Sequence, residues 1–236
     1  MKVEIWSDVM CPFCYIGKRR FEKALDQFPG KDDIEVTWKS FQLNPSMKTE
    51  PGKNINQYLS EIKGWSIAEA KRANEYVTQM AKEVGLSYDF DKAVVANSFD
   101  AHRVAHLAKA SGKGDEMEEQ LFKAYFTEGK NIADHNTLIQ LAVSVGIEED
   151  RVKNVLKSDE YADAVETDIY EANQIGVRGV PYFVLDDRYA VSGAQATETF
   201  LGVLNKAWGE WEKKKPALQD LNSDTPDLCT TDGDCS

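Results

Sequence analysis

Residues 11 to 14 read Cys-Pro-Phe-Cys and follow a short alternating run, Val3-Glu4-Ile5-Trp6, that predicts the first strand of the chain. A C-x-x-C pair at a strand-to-helix junction is a strong constraint. Two thiols three positions apart on the first turn of a helix can close on each other, and a β-α context is where that chemistry is sited. The helix supplies reactivity as well. Its unpaired N–H groups and its dipole favour an anion, so Cys11 is expected to be the thiolate and the accessible, attacking sulfur at an open helix mouth, with Cys14 one turn further in. Pro12 suits the first helical position, where a missing N–H costs nothing, and Phe13 adds bulk without charge. With no histidine in the dipeptide, a less oxidising pair than the strongest disulfide donors is expected.

The competing reading of the pair is half of a zinc site. A structural zinc normally takes four ligands, and the other paired cysteines, Cys229 and Cys235, lie in a polar tail far along the chain. Dithiol chemistry is therefore the expectation, with no metal. The balance of 40 acidic against 28 basic residues argues against nucleic acid or an anionic membrane surface as a partner. Apolar stretches are too short to span a bilayer. The N-terminus enters its first strand without an apolar h-region or a small-residue cleavage site, which predicts a cytoplasmic protein. In such a reducing compartment the two close cysteine pairs are expected to be catalytic, redox-sensing or metal-binding and not structural staples.

Helical spacing of Tyr15, Ile16, Phe21, Ala24 and Leu25 predicts a helix from Cys11 to about Phe28, and Ile34 to Trp38 alternates again. This is a β-α-β opening. Lys48 to Asn54, with Pro51 and Gly52, reads as a polar loop. From Asn56 to Asn173 helical periodicity dominates, punctuated by Gly64, Gly85, Gly112, Gly129 and Gly146 at plausible helix ends. Ser66 with Glu69 has the form of a capping box, and Asp134 with Thr137 that of a helix start. At Gly176 strands return: Val180 to Leu185, a tight turn at Asp186-Asp187-Arg188, and Tyr189 to Val191. A last helix runs from Thr197 to Lys213. The order predicts an α/β chain: a thioredoxin fold from residues 1–50 and 174–214, with a large α-helical subdomain inserted at 51–173. A flexible C-terminal tail, 215–236, follows and carries the second cysteine pair.

Val180-Pro181 opens the third strand, an odd place for a residue that cannot donate to a ladder. A cis bond there would turn the backbone of Val180 toward the sulfurs, where it could pair with an extended substrate segment. Taken with Ser7-Asp8-Val9-Met10-Cys11-Pro12-Phe13-Cys14-Tyr15-Ile16-Gly17, Asn97 to Arg103, Ala124 to Ile132 and Gly176 to Phe183, the chain resembles the DsbA-type thioredoxin superfamily, in particular its FrnE-like cytoplasmic disulfide oxidoreductases. The resemblance covers residues 1 to about 210. It implies that Cys11 is the nucleophile, that Cys14 resolves the mixed disulfide and that Pro181 is a cis proline beside them. It also implies a place for Asn97 near the thiol pocket, although Asn97 could equally cap the helix that follows.

The expected function is thiol-disulfide exchange with protein or small-molecule thiols and disulfides. Val180 and Phe13 border the substrate, and no cofactor is needed beyond glutathione as a reductant or cosubstrate. Relatives in the same branch, 2-hydroxychromene-2-carboxylate isomerases and kappa-class glutathione transferases, have serine where Cys11 stands, so a glutathione-dependent isomerase or transferase is the enzymatic rival. A redox-sensing, chaperone-like binding protein is the other. Nothing in the pattern sets an oligomeric state. Cys229 and Cys235 could pass a disulfide to or from Cys11, or be incidental. Asp8 could relay protons to Cys14 or satisfy backbone N–H groups. His102 and His106 share one helix face and could meet one ion, yet lack a third ligand at matching spacing. Arg103 belongs in a packing or salt-bridge network, and Trp38, Phe41, Phe99 and Tyr125 in the core or an interface.

Overall fold

The computed structural model describes residues 1–214, so the Cys229/Cys235 pair and the tail that carries it lie outside the described residues. β1 (Lys2–Ser7), α1 (Pro12–Asp26) and β2 (Glu35–Ser40) form the opening unit, with β1 and β2 parallel and Ile5 opposite Trp38. The chain returns to this sheet only at β5 (Tyr182–Leu185) and β6 (Tyr189–Ser192), giving the order β2-β1-β5-β6. β5 is antiparallel to both neighbours, with Phe183 beside Ile5 on one side and Val191 on the other. Helix α9 (Thr197–Glu212) ends the described chain.

Period-2 alternation decides the two faces of this sheet. Ile5 and Phe183 face α1 and α9, where the rings of Phe21, Phe183 and Phe200 meet with centroids 4.6 to 5.5 Å apart. Trp6 points the other way and joins a smaller cluster with Ala172 and Val177. The β5–β6 turn needs two left-handed residues, and Asp186 (φ 51°) and Asp187 (φ 55°) supply them; short polar side chains accept that conformation better than most.

Between β2 and β5 lie α2 (Ile55–Lys63), α3 (Ile67–Glu83), α4 (Phe99–Ala110), α5 (Gly114–Phe126), α6 (His135–Ser144), α7 (Glu149–Lys157) and α8 (Ala162–Gln174). The Ser66/Glu69 capping box has both of its reciprocal bonds, and the Asp134 carboxylate accepts from the Thr137 amide. Gly64 ends α2 with φ 68°, a conformation that costs glycine little. Helices α3 to α7 share one continuous core with the sheet: Leu121 and Phe122 of α5 belong to the same buried cluster as Ile5 and Phe183, while Ile55 and Tyr58 of α2 sit in a separate small cluster. On the opposite face α8 docks against β1 and β2, where Trp6 Nε1 donates to the Asp168 carbonyl at 2.8 Å and the Ser40 amide to the Asp168 carboxylate at 2.8 Å.

One expectation needs correction. The segment read as a polar loop contains β3 (Glu50–Asn54), which pairs with β4 (Val94–Val95) across an irregular register. Pro51 and Gly52 hide the first strand from any propensity argument, and two residues are too few for the second to show a period.

Candidate active site

β1 ends at Ser7, and a turn closed by the Cys11 amide on the Asp8 carbonyl at 2.9 Å brings the chain to the mouth of α1. Cys11 is the N-cap residue itself, with extended backbone, and Pro12 opens the first turn. A capping side chain normally accepts from the helix's own N–H groups, but the Cys11 thiol makes no such bond. It points to the Val180 carbonyl instead, at 3.3 Å. The Val180–Pro181 bond is cis. Gly17 explains how that loop comes so near the helix: a Cβ there would stand 2.9 Å from Pro181 Cγ, so only glycine leaves the proline ring its place against α1.

The two thiols are free, and both are buried, Cys14 completely. Burial pushes the Cys14 thiol well up, the neighbouring Cys11 adds to the rise, and the Ser7 hydroxyl and Asp8 amide oppose it. The expected open helix mouth is corrected here, because Cys11 is only 3% exposed. The Val180 carbonyl stands against its sulfur, and Tyr88, from the segment between α3 and β4, lies over the same turn and donates its hydroxyl to the Pro12 carbonyl at 2.7 Å. Phe13 is the member of the motif that faces solvent, at 37% exposure.

Asp8 ties two loops together. One carboxylate oxygen accepts from the Leu43 amide at 2.8 Å and the other from the Met10 amide at 3.2 Å, so the carboxylate satisfies backbone N–H groups while the Asp8 amide is the part aimed at Cys14. Asn97 is committed in the same manner. Its side-chain oxygen accepts from the Phe99 amide at the start of α4, and its nitrogen donates to the Pro45 and Met47 carbonyls, holding the β2–β3 connection against that helix. His102 and His106 serve different acids: His102 Nε2 lies 3.5 Å from Asp8, and His106 Nε2 lies 3.1 Å from Asp168. Trp38 and Tyr125 are buried, while Phe41 and Phe99 are half-buried.

A polar group that the sequence does not reveal sits behind the motif. Glu118 of α5 and His102 of α4 are buried together, and one Glu118 oxygen and both ring nitrogens of His102 lack a hydrogen-bond partner. Burial pushes the Glu118 carboxyl up to about 7, with His102 pulling the other way. Burial alone would lower the His102 pKa, but the Asp8 carboxylate outweighs it and the net shift is upward. Both shifts make the folded protein hold protons that the unfolded chain releases, so stability falls as pH rises. For Glu118 the loss spans the window from 4.5 to about 7. For His102 it begins near 6.5 and is complete above its raised folded value. We expect the urea midpoint to drop between pH 5 and pH 8, and Glu118→Gln to flatten the lower part of that drop, gaining about 1–3 kcal/mol over wild type at pH 8. A wild-type midpoint that rises over this range would refute the assignment.

A thiol on the N-cap residue, a second thiol one turn deeper and a cis proline loop against the first define a thioredoxin-type dithiol protein. The chain belongs to the DSBA-like thioredoxin domain family, which matches it over residues 2–205. It is 30% identical over 221 residues to the uncharacterized protein YwbO of Bacillus subtilis, covering 90% of this chain and 98% of that one. Among solved structures it is similar to a probable DsbA oxidoreductase of Streptomyces coelicolor, with a TM-score of 0.84, 37% identity and coverage of 100% and 98% of the two chains. The cytosolic disulfide reductase DsbM of Pseudomonas aeruginosa, solved with GSH, shares the fold at a TM-score of 0.60 and 17% identity, over 90% of this chain and 98% of that one. Among the described residues no helix is long and apolar enough to cross a membrane.

Proposed function

We propose that this protein is a thiol-disulfide oxidoreductase that oxidises, reduces or isomerises protein disulfides through Cys11 and Cys14. The observation that carries the reading is the Cys11 sulfur at the N-terminus of α1, 3.3 Å from the carbonyl before the cis proline, with Cys14 behind it. In the reducing direction the Cys11 thiolate attacks a substrate disulfide. A bond forms from Cys11 to one substrate sulfur, and the other sulfur leaves as a thiolate that takes up a proton. Cys14, having lost its proton, then attacks the Cys11 sulfur and releases the second substrate thiol, so the substrate gains two electrons and the Cys11–Cys14 pair becomes the disulfide. Two glutathione thiols or a partner dithiol restore it. Oxidation of a substrate is the same path reversed.

The substrate chain lies along Val180 with Phe13 at its border, and the role of Asn97 is to hold the loop beside that path. A cytoplasmic glutathione pool is the natural electron source. Cys229 and Cys235 are candidates to hand a disulfide to or from Cys11, and turnover unchanged in the Cys229→Ser/Cys235→Ser protein would remove them from the path. The deciding measurements are insulin reduction and the equilibrium potential of the Cys11/Cys14 pair in glutathione buffers. A value near roughly −180 mV fits an oxidase or isomerase, and one near roughly −270 mV a reductase. No thiol-dependent turnover in either direction would overturn the reading.

A further inference from the structure

A substrate disulfide must touch the Cys11 sulfur, and in the folded protein the Cys11 residue is only 3% exposed. On one side stands the Val180 carbonyl, part of the sheet domain. Tyr88 comes from a segment of the helical insertion that is pinned by the Asp89 amide on the Phe126 carbonyl at 2.7 Å. Its ring stacks on Phe126 with centroids 4.7 Å apart and lies edge-on to Phe90 at 5.7 Å. Its hydroxyl reaches across to the first turn of α1 and donates to Pro12, the residue next to the nucleophile. Burial, then the charges of Cys11 and Cys14, hold the phenol in its neutral form.

The bond to Pro12 is well suited to being broken. As the first residue of α1, Pro12 has a carbonyl that already takes part in the helical ladder, so losing the phenol leaves no orphaned acceptor. The Tyr88 hydroxyl, once swung away, is free to bond water or a substrate backbone. The aromatic stack behind it and the pinned Asp89 amide keep the segment's backbone in place, so the opening is a side-chain movement that leaves the insertion docked.

We propose that Tyr88 is a specificity-determining residue of the dithiol site: it covers Cys11 in the resting reduced protein and sets how large a sulfur partner can approach. The proposal rests on Cys11 being the attacking sulfur of the oxidoreductase described above, but its test reads the thiol directly and needs no turnover. The full chain, reduced, is alkylated with iodoacetamide and with a bulky aromatic maleimide across a pH series, and labelling at Cys11 and Cys14 is followed by peptide mass spectrometry. The high-pH plateau removes differences in thiolate fraction and leaves access alone.

Tyr88→Phe, which keeps the ring and loses one hydrogen bond, is expected to raise the Cys11 plateau rate about fivefold. Tyr88→Ala is expected to raise it at least about tenfold, more for the maleimide than for iodoacetamide, with Cys14 still protected. Plateau rates and reagent discrimination within about twofold of wild type in both variants would overturn the proposal. So would parallel labelling of Cys11 and Cys14 in Tyr88→Phe, since that signals unfolding in place of a side-chain opening. Altered labelling together with an absence of any disulfide turnover would leave Tyr88 as the cover and remove the oxidoreductase reading.

Discussion

Cys11→Ser is expected to lose disulfide exchange altogether, a fall of more than about a thousandfold to the uncatalysed rate, while the protein stays folded. A serine oxygen cannot form the mixed disulfide on which both half-reactions depend. Cys14 cannot substitute for it, because it has no exposed surface and burial raises its pKa well above that of a free thiol. Stability should change little. Cys11 occupies the N-cap without making a cap bond, and serine is among the best residues for that position. The companion variant separates the roles: Cys14→Ser should still be attacked or attack through Cys11, then stop, so that a mixed disulfide accumulates and is visible by mass. Insulin reduction and intact-mass spectrometry check both. Measurable turnover by Cys11→Ser would exclude Cys11 as nucleophile, and full activity of that variant on an isomerase substrate would favour glutathione-dependent isomerisation.

Arg103→Met should produce the largest loss of stability, about 3–5 kcal/mol, or about 10 °C in Tm for a chain of this size. Arg103 is buried in α4 and spends its guanidinium on the end of another helix. It donates to the Val155 carbonyl at 2.5 Å, to the Ser158 carbonyl, to the Glu160 carbonyl at 3.0 Å and to Asp100 at 2.8 Å. Val155 lies in the last turn of α7, where its carbonyl also accepts from the Ser158 amide at 3.2 Å, and the Ser158 and Glu160 carbonyls lie just beyond the helix end. A positive charge at that end also complements the helix dipole. Methionine would fill the space and take the Arg103 donors from the Ser158 and Glu160 carbonyls, which is the expensive half of losing a hydrogen bond. Arg103→Lys should recover only a fraction, because one ammonium cannot reach a fan of acceptors that a planar guanidinium spans. Urea unfolding is the measurement, and a loss under about 1 kcal/mol for Arg103→Met would show that the α7 terminus is satisfied in some other manner.

What could be read from the residues was whatever a short stretch of chain decides alone. The alternation of Val3 to Trp6, the helical spacing after Cys14 and the turn at Asp186-Asp187 each sit within one element, and each is present in the fold. Ser66 and Glu69 are three residues apart, so their reciprocal cap is a local matter as well. β3 and β4 escaped because their pairing joins Glu50 to Val95, and neither strand has a pattern of its own. Asn97 illustrates the middle case. Its sequence offers a pocket residue or a helix cap, and only the arrival of the Pro45–Met47 loop commits the amide.

Tyr88 and Glu118 are the residues whose parts were hidden, and Arg103, expected in a packing or salt-bridge network, had hidden partners. Each acts on a partner distant in sequence: Tyr88 on Pro12, Glu118 on His102, Arg103 on the end of α7. A tyrosine in a loop or a glutamate on a helix looks like any other until the fold buries it and removes the water that would otherwise be its partner. The sequence by itself determined that two thiols stand at a strand-to-helix junction and that helices interrupt the sheet, since spacing along the chain is enough for those; a proline beside the thiols was implied by family resemblance. Tertiary structure alone decided that Cys11 is covered, that the insertion provides the cover and that Leu43 takes up one oxygen of the Asp8 carboxylate. Burial is a property of what packs against a residue, and those neighbours come from segments tens of residues away.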